Sequence, residues 1–286
     1  MKISIVTPNY NYDKFIGKTI ESVIEQNFDN YEHIIIDDGS TDRSVEIINK
    51  YIQLKESKII LKEQENQGQT PAINVGMRLA KGDVICWINS DDTFCPNVFS
   101  EVVNYFKNNP KCDIVFGDMN VTDLNGNLIY RRRNLNFNYK IACLLGFTTV
   151  LSSNAVFWKR EAMEKNGYFE ESLKCNMDGD FFYRLTKGMV VKRINIPFAN
   201  FRKQTHTKAS EKNKNWDEIV RKEVEIERKS SYSELWISTI IPYKYSFIVR
   251  IPVRIYRVFL RFILLHFILK KLETYRYNKK TDRSAA

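Results

Sequence analysis

Residues 33–51 read HIIIDDGSTDRSVEIINKY, and this stretch decides the fold class. The β-branched run from His33 to Asp37 has the composition of a buried strand. The turn Asp38-Gly39-Ser40-Thr41-Asp42 then leads into the N-terminus of a helix that runs from Ser44 to Tyr51. Working outward, the same unit recurs: Ile3 to Thr7 before Phe15 to Gln26, Lys58 to Leu61 before Thr70 to Ala80, and Asp83 to Ile88 before Pro96 to Lys107. Strands that alternate with helices in this way predict an α/β fold, a single Rossmann-like, mostly parallel sheet with flanking helices.

Beyond these units the pattern predicts a strand at Asp113 to Phe116, a hairpin turning at Asn125-Gly126, and a helix around Arg160 to Lys165. A helix from Asp178 to Lys187, a strand at Val190 to Ile194 and a charged amphipathic helix from Trp216 to Tyr232 follow. With 286 residues, 43% of them hydrophobic, the chain is long enough for one sizeable core and a smaller module. The expected division is a main domain over 1–232, a basic helical extension over 233–280 and a tail over 281–286.

Five scattered cysteines without a C-x-x-C pair argue against a disulfide framework and against a zinc site, which fits a reducing compartment. The N-terminal MKISIVTPNY lacks the apolar core of a signal peptide, so the main domain is expected to face the cytoplasm. The net charge of +10 calls for an anionic partner. Most of the excess sits between Pro242 and Lys280, where ten Lys and Arg residues stand against the single acid Glu273.

In a parallel α/β sheet, ligands bind at the carboxyl ends of the strands where strand order reverses. Three polar clusters fall at such ends: Thr7-Pro8-Asn9-Tyr10, Asp37-Asp38 and Asn89-Ser90-Asp91-Asp92. Each alone is an ordinary turn or helix-capping sequence; their joint placement points to one pocket. Adjacent aspartates on a strand point to opposite sides, so one of each pair can face the ligand while the other braces a loop, and Asp38 is the expected ligand-facing member of the first pair. No G-x-G-x-x-G or P-loop lysine motif is present, so a phosphate ligand would need metal and side-chain contacts. Carboxylates at 91 and 92 suit a hard divalent cation, Mg²⁺ or Mn²⁺, that bridges a diphosphate.

SIVTPNYN, IIDDGSTD, ENQGQTPAINVG and WINSDD, in this order and spacing, resemble the family 2 inverting glycosyltransferases of the GT-A fold, the bacterial surface-polysaccharide type, over roughly Lys2 to Phe201. The resemblance implies that Thr7, Pro8 and Tyr10 line a nucleotide-base pocket and that Asp38 hydrogen-bonds the base. It places Asn66 and Gly68 in the loop closing over the base, Asp91 on the ribose with a lesser role at the metal, and Asp92 on the metal bound to the diphosphate. Uracil is the implied base, with guanine and thymine as the alternatives. Two departures stand out: Asn89 replaces an aspartate that commonly opens the motif, and Ile73 replaces an arginine.

The stretch Met177-Asp178-Gly179-Asp180 is similar to the family's E-D-x-D, whose first aspartate removes the proton from the acceptor hydroxyl; that position is Asp178. As a bland alternative, Asp178 caps the helix that follows. Downstream, residues 201–208 are similar to a closing R-x-H-x-x-S-K stretch with its histidine displaced, which makes His206 a subsidiary candidate at the metal or diphosphate, beside Arg202 and Lys208. Trp87 and Trp158 lie in apolar runs and read as core.

In the basic extension, Arg250, Arg254, Arg257 and Arg261 are spaced for one face of a helix that is otherwise apolar. Its longest uncharged run is too short to span a bilayer, so it is expected to lie in an anionic membrane surface; packing on the main domain or on a second subunit, as a homo-oligomer, is the alternative. Nucleic acid fits such apolar coverage less well. The expected activity is therefore metal-dependent transfer from a nucleoside-diphosphate sugar to a glycan or lipid-linked acceptor, by a peripheral protein on the cytoplasmic face of the membrane. A nucleotidyltransferase and a non-catalytic peripheral membrane adaptor are the competing readings.

Overall fold

The strand that opens the chain, β1 (Ile3–Asn9), is buried at every position, and so is β2 (Tyr31–Asp37). Strands buried on both faces read as near-continuous apolar runs and need helices on each side. From α1 (Asp13–Ile24) and α2 (Ser44–Leu54), Ile16, Ile20 and Ile48 pack with Ile35 of β2 and Ile59 of β3 (Ile59–Glu63). A second cluster joins Ile3 and Ile5 to Phe99, Val102 and Phe106 of α4 (Val98–Asn108). Between them in sequence, α3 (Gln69–Leu79) presses so closely on β1 that a Cβ at Gly76 would stand 2.4 Å from a Val6 methyl. Larger residues are excluded there.

The computed structural model describes residues 1–54, 58–145, 151–204 and 214–235. The extension and tail expected beyond them, with the arginine-striped helix, lie outside the described residues, as do His206 and Lys208. Among the described residues no helix is long and apolar enough to cross a membrane. Residues Met1–Ser231 form one compact unit.

Its remaining strands are β4 (Val84–Trp87), β5 (Thr93–Phe94), β6 (Ile114–Thr122), β7 (Leu128–Arg132), β8 (Val156–Lys159) and β9 (Val191–Arg202). Hydrogen bonding orders the sheet β3-β2-β1-β4-β8-β6-β9-β5; off this path, β7 pairs with the last residues of β6, past those that pair with β8. The βα units build the expected parallel half: β1 pairs parallel with β2 and with β4, and β2 with β3. From β8 onward most pairs are antiparallel, with β6–β9 parallel. Strand order reverses at β1, between β2 and β4, which is where a ligand crevice opens.

The structure differs from the sequence reading in its second half. β6 and β9 run to Thr122 and Arg202, well past the expected Phe116 and Ile194, because they pair with each other through register shifts around Asp118. β5 has only two residues, too few for periodicity to show, yet it pairs with β9 at the far end of the sheet order. The short segment 88–92 between β4 and β5 therefore links the middle of the sheet to its last strand.

Among the described residues, four further helices belong to this half: α5 (Tyr139–Leu145), α6 (Arg160–Asn166), α7 (Met177–Leu185) and α8 (Lys214–Ser233). As expected, Trp87 and Trp158 are core residues. Trp87 stacks on Phe182 and meets Phe169 edge-on, while Trp158 meets Phe181, so two aromatic contacts seat α7 against the sheet. That seating sets Phe182, midway along α7, against Trp87, the last residue of β4.

Candidate active site

At the end of β1, Thr7 is fully buried and its hydroxyl is 2.9 Å from His33 Nε2, so it faces the core rather than a pocket. His33 has no charged neighbour to compensate its burial, which pushes its pKa down to about 3 and keeps the ring neutral. Pro8 is buried and its carbonyl accepts from the Ser90 hydroxyl at 2.6 Å, which ties the end of β1 to the 89–92 segment. Tyr10, at 42% exposure, is the first-strand residue with a ring open to a ligand.

The Asp37-Asp38 pair is devoted to bracing. Asp37 accepts from the Asn9 amide, the Ser40 hydroxyl and the Ser40 backbone N–H. Asp38, expected to face the ligand, has one oxygen on Gln64 Nε2 and Gln67 N and the other on Gly68 N. It holds in place the loop expected to close over a base. Asn66 is exposed on that loop. Gly39 (φ +79°) and Gly68 (φ +99°) supply left-handed turns, and a Cβ at Gly39 would come within 3.2 Å of Asn66 N.

The 89–92 segment contains the site's acids. Asp92 is fully sealed from solvent. Its carboxylate accepts from Arg202 N at 2.9 Å, Asn154 Nδ2 at 2.8 Å and the Asn89 side chain. Burial, and then the charge of Asp91, push its pKa up to about 8. Asp91 keeps partial exposure; Gln204 Nε2 donates to one of its oxygens at 2.7 Å. Burial raises its pKa too, against the pull of Arg202 and Gln204. Asp92, the expected metal ligand, is thus held by three protein donors, while Asp91 beside it keeps partial exposure. Asn89 Oδ1 accepts from Gln69 Nε2 and Trp87 Nε1, so the residue replacing an acid is a hydrogen-bonded hinge of the same cluster.

Asp178 lies in the first turn of α7 and is partly exposed. It accepts from Gly179 N and from the Ser153 side chain, and burial raises its pKa. Ser153 and its neighbour Asn154 thus bind Asp178 and Asp92 respectively, bringing the helix-borne acid and the sheet-borne pair to one short turn, Ser153–Ala155. Asp180, by contrast, forms an ion pair with Arg184 one turn on, at 2.7 Å, and has a structural role.

Further residues, the candidate Arg202 among them, complete the surroundings of the acids. Arg202 donates through Nε to the Asp91 carbonyl and through Nη1 to the Leu124 carbonyl, and its guanidinium lies over the Phe15 ring. The burial of Tyr12, and then the nearby charges of Asp91 and Asp92, raise its pKa, so that phenol borders the pair. Glu223 of α8 accepts three consecutive backbone N–H groups, Lys174, Cys175 and Asn176, each at 2.9 Å. Those groups form the entry to α7, and Asn176 Nδ2 also donates to Glu227. Ile73 is wholly buried, so the position expected to hold an arginine points into the core.

Among the described residues no cluster of three or more His, Cys, Asp or Glu side chains could enclose a metal. The donor set still fits a divalent cation held jointly with a ligand. Mg²⁺ in particular is usually bound by one or two carboxylates together with substrate phosphates. Two adjacent, desolvated aspartates whose pKa values both rise are a site that added positive charge would relieve.

Comparison with known proteins bears on this geometry. The family model for glycosyl transferase family 2 matches residues 4–170. The poly(ribitol-phosphate) beta-glucosyltransferase of Bacillus spizizenii is 34% identical over 122 residues, which is 42% of this chain and 19% of that protein. Residues 1–349 of S. aureus TarS, solved in complex with UDP-GlcNAc, superpose with a TM-score of 0.61 at 20% identity, covering 79% of this chain and 66% of that one. The mannosyltransferase PcManGT of Pyrobaculum calidifontis, solved with GDP-Man and Mn²⁺, gives a TM-score of 0.56 at 14% identity, covering 82% and 64%. The matched stretches span between 16% and 63% of the length of the curated relatives.

Proposed function

The chain belongs to glycosyl transferase family 2 and has the GT-A fold, and from that premise we propose that it is an inverting, metal-dependent transferase. In this reading it moves a hexosyl group from a nucleoside-diphosphate sugar to a hydroxyl of a membrane-associated glycan or lipid-linked acceptor, of the surface-polysaccharide type. The observation that carries the reading is the Ser153–Asn154 turn, which holds a lone acid, Asp178, beside an acidic pair. Inverting transfer needs that division: one carboxylate to take a proton, and separate negative groups to anchor the leaving end of the donor.

The roles follow from exposure. Asp91 would hold a divalent cation together with the donor's diphosphate, and that cation would offset the negative charge that collects on the departing diphosphate. Asp92 stays behind it as a sealed brace between β4, β9 and the 153–155 turn. Tyr10 supplies a ring for the base, and Asp38 holds the 64–68 loop over it. Uracil is the proposed base; the neighbour that holds UDP-GlcNAc supports it, and the one that holds GDP-Man makes guanine the alternative. Asp178 takes the proton of the acceptor hydroxyl as that oxygen bonds to the anomeric carbon. The bond from that carbon to the diphosphate oxygen breaks on the opposite face, and the diphosphate leaves with the electron pair. The protein is proposed to work as a peripheral protein at the cytoplasmic face of the membrane, with the basic extension as one contact.

Two substitutions test the reading. Asp178→Asn should lower the rate of transfer by on the order of a thousandfold, within the range for a general base, and leave donor affinity unchanged. Asp91→Asn should abolish the Mn²⁺ dependence of nucleotide binding. A donor panel scored by metal-dependent thermal stabilisation identifies the base. Transfer that survives in Asp178→Asn would sink the assignment of the base.

A further inference from the structure

Four of the eleven large hydrophobic residues exposed on the described surface lie within seven residues of one hairpin: Leu124 (49%), Leu128 (62%), Ile129 (53%) and Tyr130 (55%). Along a strand, successive side chains point to opposite faces. Leu128, Ile129 and Tyr130 are consecutive in β7, so this strand is apolar and exposed on both faces at once. β7 pairs with β6 alone, and its outer edge has no strand partner among the described residues. A core does not account for such a strand. A fifth exposed residue, Phe201 (37%), extends the patch, because Val121 of β6 is in register with both Tyr130 and Phe201.

The order of residue types along the hairpin argues for its occupant. The apolar residues lie toward the turn and Tyr130 follows them. Arg131, Arg132 and Arg133 come last. The two guanidinium groups of Arg131 and Arg193 share one buried carboxylate, Asp118, which leaves net positive charge at the hairpin's base. Aliphatic, then amphipathic aromatic, then cationic is the order met on going from the acyl boundary to the phosphates of a bilayer. At the turn, the Asp123 carboxylate accepts from Asn125 N, Asn127 N and Asn127 Nδ2, so the acid nearest the apolar residues is hydrogen-bonded within the turn itself.

We propose that the β6–β7 hairpin of the catalytic unit docks on an anionic lipid surface, with Leu128, Ile129 and Tyr130 in the headgroup layer and the cationic base of the hairpin, Arg133 foremost, toward lipid phosphates. Docking at this place rests on the proposed membrane-borne acceptor for its purpose. Arg202 gives it a route to the chemistry, since its Nη1 holds the Leu124 carbonyl while its Nε and backbone N–H hold Asp91 and Asp92. The hairpin that meets the lipid and the acids that meet the donor are thereby joined through one side chain, independently of the basic extension.

The full chain is labelled with an environment-sensitive fluorophore at Ile129→Cys, in a Cys175→Ser background because the other four cysteines are buried. A second labelled protein carries the probe at Leu54→Cys on α2, a position of comparable exposure. Vesicles of phosphatidylcholine with 30% phosphatidylglycerol should shift the Ile129 probe to the blue and leave the Leu54 probe unmoved, and pure phosphatidylcholine should give a much smaller shift. The double substitution Leu128→Ser, Ile129→Ser should lower the vesicle partition coefficient on the order of tenfold, with an unchanged thermal midpoint because both side chains are exposed. Flotation of the chain with anionic vesicles while the Ile129 probe stays unshifted would overturn the hairpin and leave the membrane-associated reading standing. Absence of flotation would overturn both. A blue shift without lipid that grows with protein concentration would assign the strand edge to a second copy and overturn the lipid surface.

Discussion

Replacing Asp92 by asparagine should make the metal-free protein more stable at pH 8 and no more stable at pH 5. The parent carboxyl is sealed beside Asp91, and its pKa rises from 3.8 to about 8 on folding. Between those values the unfolded chain has lost the proton while the folded chain still binds it, so stability falls as pH rises through this window and levels off above it. The slope is about 1.4 kcal/mol per pH unit for one group, which bounds the loss between pH 5 and pH 8 at roughly 4 kcal/mol; relaxation and water entry around the charge reduce that to ~2 kcal/mol. Asparagine removes the charge and keeps an oxygen for Arg202 N–H, and the Asn154 amide can turn to accept from the new NH₂ group. At pH 5, where Asp92 is already neutral, the exchange should cost on the order of 1 kcal/mol for the rearranged hydrogen bonds. Urea denaturation in EDTA at pH 5, 6.5 and 8 measures the difference. Parallel pH profiles for the two proteins would refute the placement of Asp92 as a carboxyl held neutral by burial and, after it, by the charge of Asp91. Adding Mn²⁺ with a nucleoside diphosphate should flatten the parent's decline, because positive charge beside Asp91 removes the repulsion.

The raised pKa of Asp178 has a kinetic counterpart: the acidic limb of kcat/KM for transfer should lie above the range of an ordinary solvated aspartate, since the base must lose its proton and burial opposes that. A limb at or below that range would remove the desolvation argument. Glu223→Gln replaces a carboxylate that accepts three backbone N–H groups with an amide that offers one oxygen and turns an NH₂ toward the rest. Misplacing the entry to α7 in this way should lower kcat about tenfold, or ~1.4 kcal/mol of barrier, and leave donor affinity unchanged. Equal losses in kcat and donor affinity, measured by steady-state kinetics and calorimetry, would mark a general loss of structure instead of a positioning effect.

What could be read from the sequence, and what could not, divides by the range of the contacts involved. The strand at His33–Asp37, its turn and the following helix are local events, and the parallel order of β1 to β4 follows from repeating that unit. Alternation along a strand does not reach the acidic pair, which lies past the end of β4 and before β5. What each member touches was decided elsewhere: Asn154 and the backbone of Arg202, 62 and 110 residues away, close around Asp92, while Asp91 keeps partial exposure. Asp38 repeats the lesson at a distance of 26 to 30 residues, where Gln64, Gln67 and Gly68 take both its oxygens. Ser153 and Glu223 show no local pattern at all, since a serine before an apolar strand and a glutamate on a charged helix are common. Their roles exist only because β8, α7 and α8 arrive at one end of the sheet. A motif therefore names the residue types a site needs, and the donors that return from distant segments decide which copy of each type stays available for chemistry.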